Sequence, residues 1–385
     1  MIYYGKQSID QDDIDEVVKV LRSDLITQGP ISTKFEEAIS EYTGAKYSVA
    51  CSHGTAALHL ACLALGVGGG DIVWTTPNTF VASANCALYC GATVDFVDID
   101  EHTLNISILA LKEKLGRAAQ KNVLPKAVIV VHFGGNSCDL SEIKALSEQF
   151  GFSIIEDACH ALGGTYKNQK IGSCRFSDIA VFSFHPVKSI TAGEGGVLVT
   201  NQKPLALKAK LLANHGITRD VSRMESIPDG PWYYEQVELG FNYRITDIQS
   251  ALGLSQLKKL DDFIKKRQAI AQFYTDAFSS LPITVQKLSV DAVSAYHLYT
   301  VTLQGGDNRL KNEMADYLKD NEIIVNCHYI PVHLQPYYKK MGFREGDFPV
   351  SEKYYDCSFS LPIYPSLTFN EQEKVISAVS DFLTK

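Results

Sequence analysis

Three segments carry side chains that could act together chemically. FSFHPVKSITAGEGG (182–196) places Lys188 in a loop after a strand ending in Ser183, between apolar flanks and a glycine run that allows close backbone approach. A lysine held out of water there has a lowered pKa that frees its amine as a nucleophile; left at the surface it is only a solvated cation. IIEDACHA (154–161) sets Glu156 and Asp157 at the end of a nearly all-apolar strand, with His160 following. A carboxylate buried there needs a partner. That partner is either the protonated nitrogen of a pyridine cofactor or, if Asp157 is only a cap, the next turn. His160 reads as a core histidine or as a donor to the same cofactor. In SHGTAALHL (52–60), Gly54-Thr55-Ala56 would open a helix whose free N–H groups attract a phosphate, or would form a plain turn and cap. Together these are the parts of a pyridoxal 5'-phosphate site: an amine to link to the cofactor, an acid to keep its ring protonated, and a cradle for its phosphate.

The elements that must position them follow from the pattern. Over 47–200, short β-rich runs alternate with helical stretches: YSVAC (47–51), DIVWTT (71–76), TVDFVDI (93–99), KAVIVVHF (126–133), FSIIEDA (152–158), DIAVFSF (178–184) and GVLVT (196–200). Helices are predicted from Gly54, over 79–89, 107–116 and 139–150. Alternation of this kind predicts βαβ units and a mostly parallel sheet covered on both faces, which several uniformly apolar runs also require. Ligands bind beyond the carboxyl ends of such strands, where all three segments fall. GVGGGD (66–71) lacks a lysine and reads as a loop, and no GxGxxG occurs. From Ile245 the period becomes helical, predicting one or two long amphipathic helices. HLYTVTL (297–303) and IIVNCHYI (323–330) read as strands around a helix over 308–321, before a Pro- and Tyr-rich loop and a closing helix. The expected organisation is a large α/β domain over 1–250, with an N-terminal arm, and a smaller α+β domain over 251–385.

Composition narrows the function classes. The 385 residues hold 36 Lys+Arg against 44 Asp+Glu, a formal charge of −8, which argues against nucleic-acid or membrane surfaces. The 9 cysteines are odd in number, dispersed and without a CxxC, which points to reduced thiols in a cytoplasm and to neither a disulfide framework nor a metal site. The first residues turn acidic at once, unlike a signal peptide, and no 18-residue apolar run suggests a membrane span.

Over essentially its whole length the chain resembles the DegT-type sugar aminotransferases, a branch of the fold-type-I pyridoxal phosphate enzymes. The resemblance rests on TQGP (27–30), GTAALHLACLALG (54–66), TTPNTFVASANC (75–86), VDID (97–100), EDACHALG (156–163), SFHPVKSITAGEGG (183–196), GFNYRITDIQSALGLSQL (240–257) and HYIPVHLQPYY (328–338). It implies that Lys188 is the Schiff-base lysine and proton shuttle, that Asp157 pairs with the pyridine nitrogen, and that His160 stands beside the phenolic oxygen. By the same resemblance Phe80 stacks on the ring; Thr55, Ala56 and Ser183 hold the phosphate; and Asn242 reaches the phosphate from the neighbouring subunit of a homodimer. Within the family the N-terminal stretch is most similar to the pseudaminic acid branch. That implies a UDP-linked 4-keto-6-deoxy-N-acetyl-L-hexosamine as acceptor and glutamate as donor, with Tyr4, Leu25, Ile26, Thr27, Gln28, His185, His328, Tyr329, Ile330 and Pro331 along the nucleotide-sugar path. The presence of Lys188 separates the chain from the dehydratase branch, which has His there. The rival readings are a 4-aminotransferase for another UDP-, dTDP- or GDP-linked keto sugar, and a sensor of the cofactor or the nucleotide sugar on the same fold.

Overall fold

The computed structural model describes residues 1–384. Helix α1 (Gln11–Leu21) starts at a capping box in which Asp10 and Asp13 each accept from the other's backbone N–H. Helix α2 (Pro30–Thr43) opens on a proline, whose missing N–H would have no helical partner anyway, and stops at Gly44 with φ 80°. The chain then alternates through β1 (Tyr47–Cys51), α3 (Gly54–Ala64), β2 (Ile72–Thr75), α4 (Ala82–Tyr89), β3 (Thr93–Phe96), α5 (Ile108–Lys121), β4 (Ala127–Val131), α6 (Leu140–Phe150) and β5 (Ser153–Asp157). A small hairpin, β6 (Thr165–Tyr166) and β7 (Gln169–Lys170), precedes β8 (Ile179–Ser183), β9 (Gly196–Thr200) and α7 (Lys203–Ala213).

Seven of these strands form one sheet in the order β1-β9-β8-β5-β4-β2-β3. β9 alone runs against the others, pairing antiparallel with both β1 and β8. Alternate residues of β4 pack on opposite faces: Val128 and Val130 join one buried cluster, Ala127 and Ile129 the other. That two-sided burial explains why the run is apolar throughout. The carboxyl ends of β1, β2, β4, β5 and β8, with the start of β9, therefore share one edge.

After a short pair, β10 (Ile217–Thr218) and β11 (Glu235–Gln236), come α8 (Asp247–Leu257) and α9 (Leu260–Ala277), so the long amphipathic pattern resolves into two helices. β12 (Ile283–Val285) follows, then β13 (Ala292–Val293), which pairs with β6, and β14 (Tyr299–Leu303) and α10 (Asn308–Asp320). Helices α11 (Pro336–Lys339) and α12 (Pro349–Cys357), strand β15 (Ser358–Leu361) and helix α13 (Phe369–Leu383) complete the chain. β12, β14 and β15 form an antiparallel sheet over a third buried cluster, which also takes in Ile2 from the N-terminus.

Two expectations are corrected. The run 323–330 is not a strand: it makes only isolated bridges, Ile323 with Ile2 and Asn326 with Ser360, because it crosses from the small sheet to the large one. The loop expected before the final helix instead contains α11, α12 and β15; β15 is the uniformly buried SFSL, which lacks the alternation that marks a half-exposed strand. No helix among the described residues is long and apolar enough to cross a membrane.

Ile129 is fully buried in the interior strand β4. Ile129→Ala should lower the stability of the cofactor-free protein by about 2–5 kcal/mol. Denaturant unfolding measures this, and an unchanged midpoint would contradict the packing described.

Candidate active site

The shared strand edge opens into a cavity of about 850 Å3. Most of its lining comes from chain turns just past the strands. β1 ends at Cys51, and His53 caps α3 by accepting the Ala56 N–H at its Nδ1, 3.0 Å away. Gly54 is required next, since a Cβ there would lie 2.8 Å from Ser183 Cβ. α4 starts only at Ala82, leaving Thr79 and Phe80 in the loop after β2, and Phe80 is 56% exposed at the cavity. β5 delivers Asp157, followed by Cys159 and His160, while β8 delivers Ser183, His185 and Lys188. Tyr4 of the N-terminal arm and Asn326, Cys327, His328 and Tyr329 of the crossing segment close the other side.

Asp157 is buried, and its carboxylate is held by two donors: Ser83 Oγ to Oδ2 at 2.6 Å and the Cys159 N–H to Oδ1 at 3.2 Å. Thr79 Oγ1 lies 2.8 Å from Ser83 Oγ and fixes that hydroxyl. Glu156 turns to the opposite face of β5, where His132 Nε2 contacts it at 2.9 Å and the Ser177 hydroxyl donates to it. Cys138 N–H donates to His132 Nδ1, so the proton that faces Glu156 is on Nε2 and Glu156 is a structural acceptor. Lys188 has its pKa lowered by burial, against the opposing pull of the Cys159 thiol and the Asp157 carboxylate. Burial drives His160 and His297 well below the ordinary histidine value, and His328 down to about 3, with the Lys188 charge adding to each. The cleft therefore holds neutral imidazoles around a lysine biased toward its free amine.

Of the residues singled out in the sequence, Tyr4, Thr55, Phe80, Asp157, His160, Ser183, His185, Lys188, His328 and Tyr329 all line this one cavity. The others lie elsewhere. Ala56 is buried, with its N–H given to His53; Ile330 and Pro331 continue past the wall, and Ile330 is 46% exposed. Leu25 and Ile26 are 52% and 48% exposed, and Thr27 bridges to Thr246. Gln28 lines a second cavity of about 370 Å3 with Asn214 and Arg244, where Asn242 bridges to Asn214. Sequence reasoning missed Ser83, which reads as one small residue in a helical run, and His297, which reads as the first residue of an apolar strand.

The family model for DegT/DnrJ/EryC1/StrS aminotransferases matches residues 7–380. The chain belongs to that family. The Bacillus subtilis spore coat polysaccharide biosynthesis protein SpsC is 41% identical over 99% of this chain and 96% of its own. A Campylobacter jejuni UDP-4-amino-4,6-dideoxy-N-acetyl-beta-L-altrosamine transaminase is 38% identical over 100% and 98%. Among solved structures, Helicobacter pylori PseC, an aminotransferase of pseudaminic acid biosynthesis, superposes with a TM-score of 0.90 at 31% identity, covering 100% of this chain and 99% of that one. A Streptococcus pneumoniae protein in its PLP form, named for sugar aminotransferase activity, superposes with a TM-score of 0.88 at 28% identity, covering 99% and 97%.

This DegT-family chain is thus a sugar aminotransferase of the fold-type-I architecture, and its cofactor is pyridoxal 5'-phosphate. The cleft fits that group on its own geometry. A buried carboxylate is held by hydrogen-bond donors and by no ion pair among the described residues, so it is suited to a protonated ring nitrogen. Gly54, Thr55 and Ser183 line the cavity at the start of α3, where a phosphate would sit, and the Phe80 phenyl offers a flat apolar face.

The lowered pKa of Lys188 carries a stability cost whose sign can be measured. As pH falls below the ordinary value of 10.5, the unfolded chain takes up the proton before the folded one, and stability declines across that window. Lys188→Met removes the group. The cofactor-free variant should therefore resist denaturant better than the wild type at neutral pH, and the difference should vanish above pH 10.5. Equal midpoints at neutral pH would contradict the assigned direction.

Proposed function

We propose that this enzyme moves the amino group of glutamate to C4 of a UDP-linked 4-keto-6-deoxy-N-acetyl-L-hexosamine, as in pseudaminic acid biosynthesis. The observation that carries the aminotransfer chemistry is the placing of Lys188, its pKa lowered by burial, and the carboxylate of Asp157, which has no ion pair among the described residues, in one cleft. The sugar assignment draws its support from the full-length Campylobacter relative and from the superposition on PseC.

When bound, pyridoxal 5'-phosphate supplies an electron sink and carries the amino group between the two half-reactions. Asp157, fixed by Ser83 and the Cys159 N–H, would hold the ring nitrogen in its protonated form. Phe80 would cover one ring face, and Thr55, Ser183 and the start of α3 would hold the phosphate. Lys188 would link to the cofactor at rest, take the Cα proton of glutamate in the first half-reaction, and return a proton to the sugar C4 in the second. A positioned base of this kind is worth about 10²–10⁴-fold. Tyr4, His185 and His328 stand at the sugar's approach.

We further propose that two copies complete each site. Neither Asn242 nor the segment Leu25 to Gln28 lines the cleft that holds Lys188, and Gln28 lines the second cavity beside Asn214, to which Asn242 bridges, so they would serve the cleft of a partner subunit. Lys188→Ala and Asn242→Ala would then each lack activity as homodimers. Unfolding and refolding them as a mixture should restore roughly a quarter of wild-type activity, because half the randomly paired dimers carry one intact site. No recovery would place both residues in the same subunit's site.

The acceptor is tested by supplying glutamate with UDP-linked 4-keto-6-deoxy-N-acetyl sugars of the L and D series, and with dTDP- and GDP-linked keto sugars. We expect the UDP-L-sugar to be aminated with the highest kcat/KM, with the product identified by NMR. A higher kcat/KM for a dTDP, GDP or D-series sugar would reject the assignment.

A further inference from the structure

The turn that leads into α2 is held by a carboxylate from a distant part of the chain. Gly29 stands at the N-cap of α2 and has no side chain to offer the free N–H groups there. Asp247, the first residue of α8, takes that role: its Oδ1 accepts the Gly29 N–H and its Oδ2 the Ile31 N–H, each at 3.0 Å. A Cβ on residue 29 would overlap Oδ2, so glycine is needed for the carboxylate to approach. The backbone grips the same stretch again, with the Asp247 N–H donating to Ile26 O at 3.0 Å and Thr27 bridging to Thr246. Asp247 is wholly buried and has no ion pair among the described residues. Its charge is offset by these N–H groups and by the N-terminal end of the α2 dipole.

Between the gripped positions lies a strained residue. Gln28 has φ 54°, in the left-handed region that a residue with a Cβ adopts at a cost. Such a backbone persists only where its surroundings over-determine it, and it collects where a side chain must be presented to a ligand. Gln28 is exposed, makes no hydrogen bond among the described residues, and faces the second cavity beside Asn214, Arg219 and Arg244. Neighbouring Leu25 and Ile26 leave about half their surface in water, so apolar burial does not explain the turn. A buried carboxylate thus fixes a turn whose side chain has no task within its own subunit.

We propose that Asp247 is a positioning residue for the nucleotide-sugar half-reaction, fixing the backbone that presents the Gln28 amide to the sugar in the cleft of a second copy. This rests on the reading that the 25–28 segment serves a partner's cleft. Asp247 itself lines neither cavity and acts only through the turn.

The two half-reactions, read one at a time on the holoenzyme's visible band, separate this role from a purely structural one. Asp247→Asn keeps one acceptor oxygen and sets amide protons against the other N–H. Bleaching of the band by glutamate should keep its rate and its half-saturating glutamate within about twofold. Return of the band is then started with whichever keto sugar the wild type aminates with the highest kcat/KM. It should need about tenfold more sugar for its half-maximal rate, the scale of one hydrogen bond to a charged group. Gln28→Gly suits the left-handed backbone, so it keeps the fold, and it should raise the sugar requirement likewise. Adding Asp247→Asn to it should change the requirement by less than about twofold, because both act through one side chain. An unchanged sugar requirement in Asp247→Asn or in Gln28→Gly, or equal losses in both half-reactions, would overturn the role of Asp247. Refolding Asp247→Asn together with Lys188→Ala tests the two-copy reading separately. The Lys188-bearing site of each mixed dimer then receives its Gln28 from a subunit with an intact Asp247, so a component with the wild-type sugar requirement should appear. A mixture showing only the raised requirement would place Gln28 in its own subunit's cleft and overturn that reading, while the difference between half-reactions would still stand.

Discussion

Asp157 is a carboxylate buried at the end of β5, and holding it there costs free energy unless the site supplies compensating groups. Ser83 and the Cys159 N–H supply part of that compensation, and neither brings a positive charge. In the proposed function, the protonated ring nitrogen of the cofactor would supply the rest. Burial also acts on Lys188, whose amine is pushed toward the neutral form that can attack and accept protons.

The sheet topology makes this possible. Parallel strands deliver every chain turn to the same edge, so residues as far apart in sequence as Thr55, Phe80, Asp157 and Lys188 meet without any long loop. The single antiparallel strand, β9, keeps that geometry because it begins where the others end. The remaining wall comes from elements outside the main sheet: the N-terminal arm with Tyr4, and the segment crossing from the small sheet with His328 and Tyr329. These walls are where the sugar would be selected, and here rings meet rings, as in the Tyr4–His328 contact at 5.2 Å.

Much of this was legible in the sequence. The uniformly apolar runs announced strands buried on both faces, and the polar residues at their ends were the ones that converge. Asp157 and Lys188 stood out because each interrupts an apolar context. Other features were silent for physical reasons. The support Ser83 gives Asp157 depends on a helix from a different βα unit, which no local pattern reveals. The run 323–330 has the composition of a strand, yet its backbone partners are divided between Ile2 and Ser360, so tertiary position overrides β propensity. Gln28 and Asn242 match family motifs, yet neither lines the cleft.

The central claim is that the Lys188 amine is the point of attachment for pyridoxal 5'-phosphate. Borohydride reduction of the holoenzyme, followed by proteolysis and mass mapping, tests it directly. The account predicts one reduced adduct, on the peptide containing Lys188, lost when glutamate is added before the reductant. An adduct on any other lysine, or none at all, would contradict it.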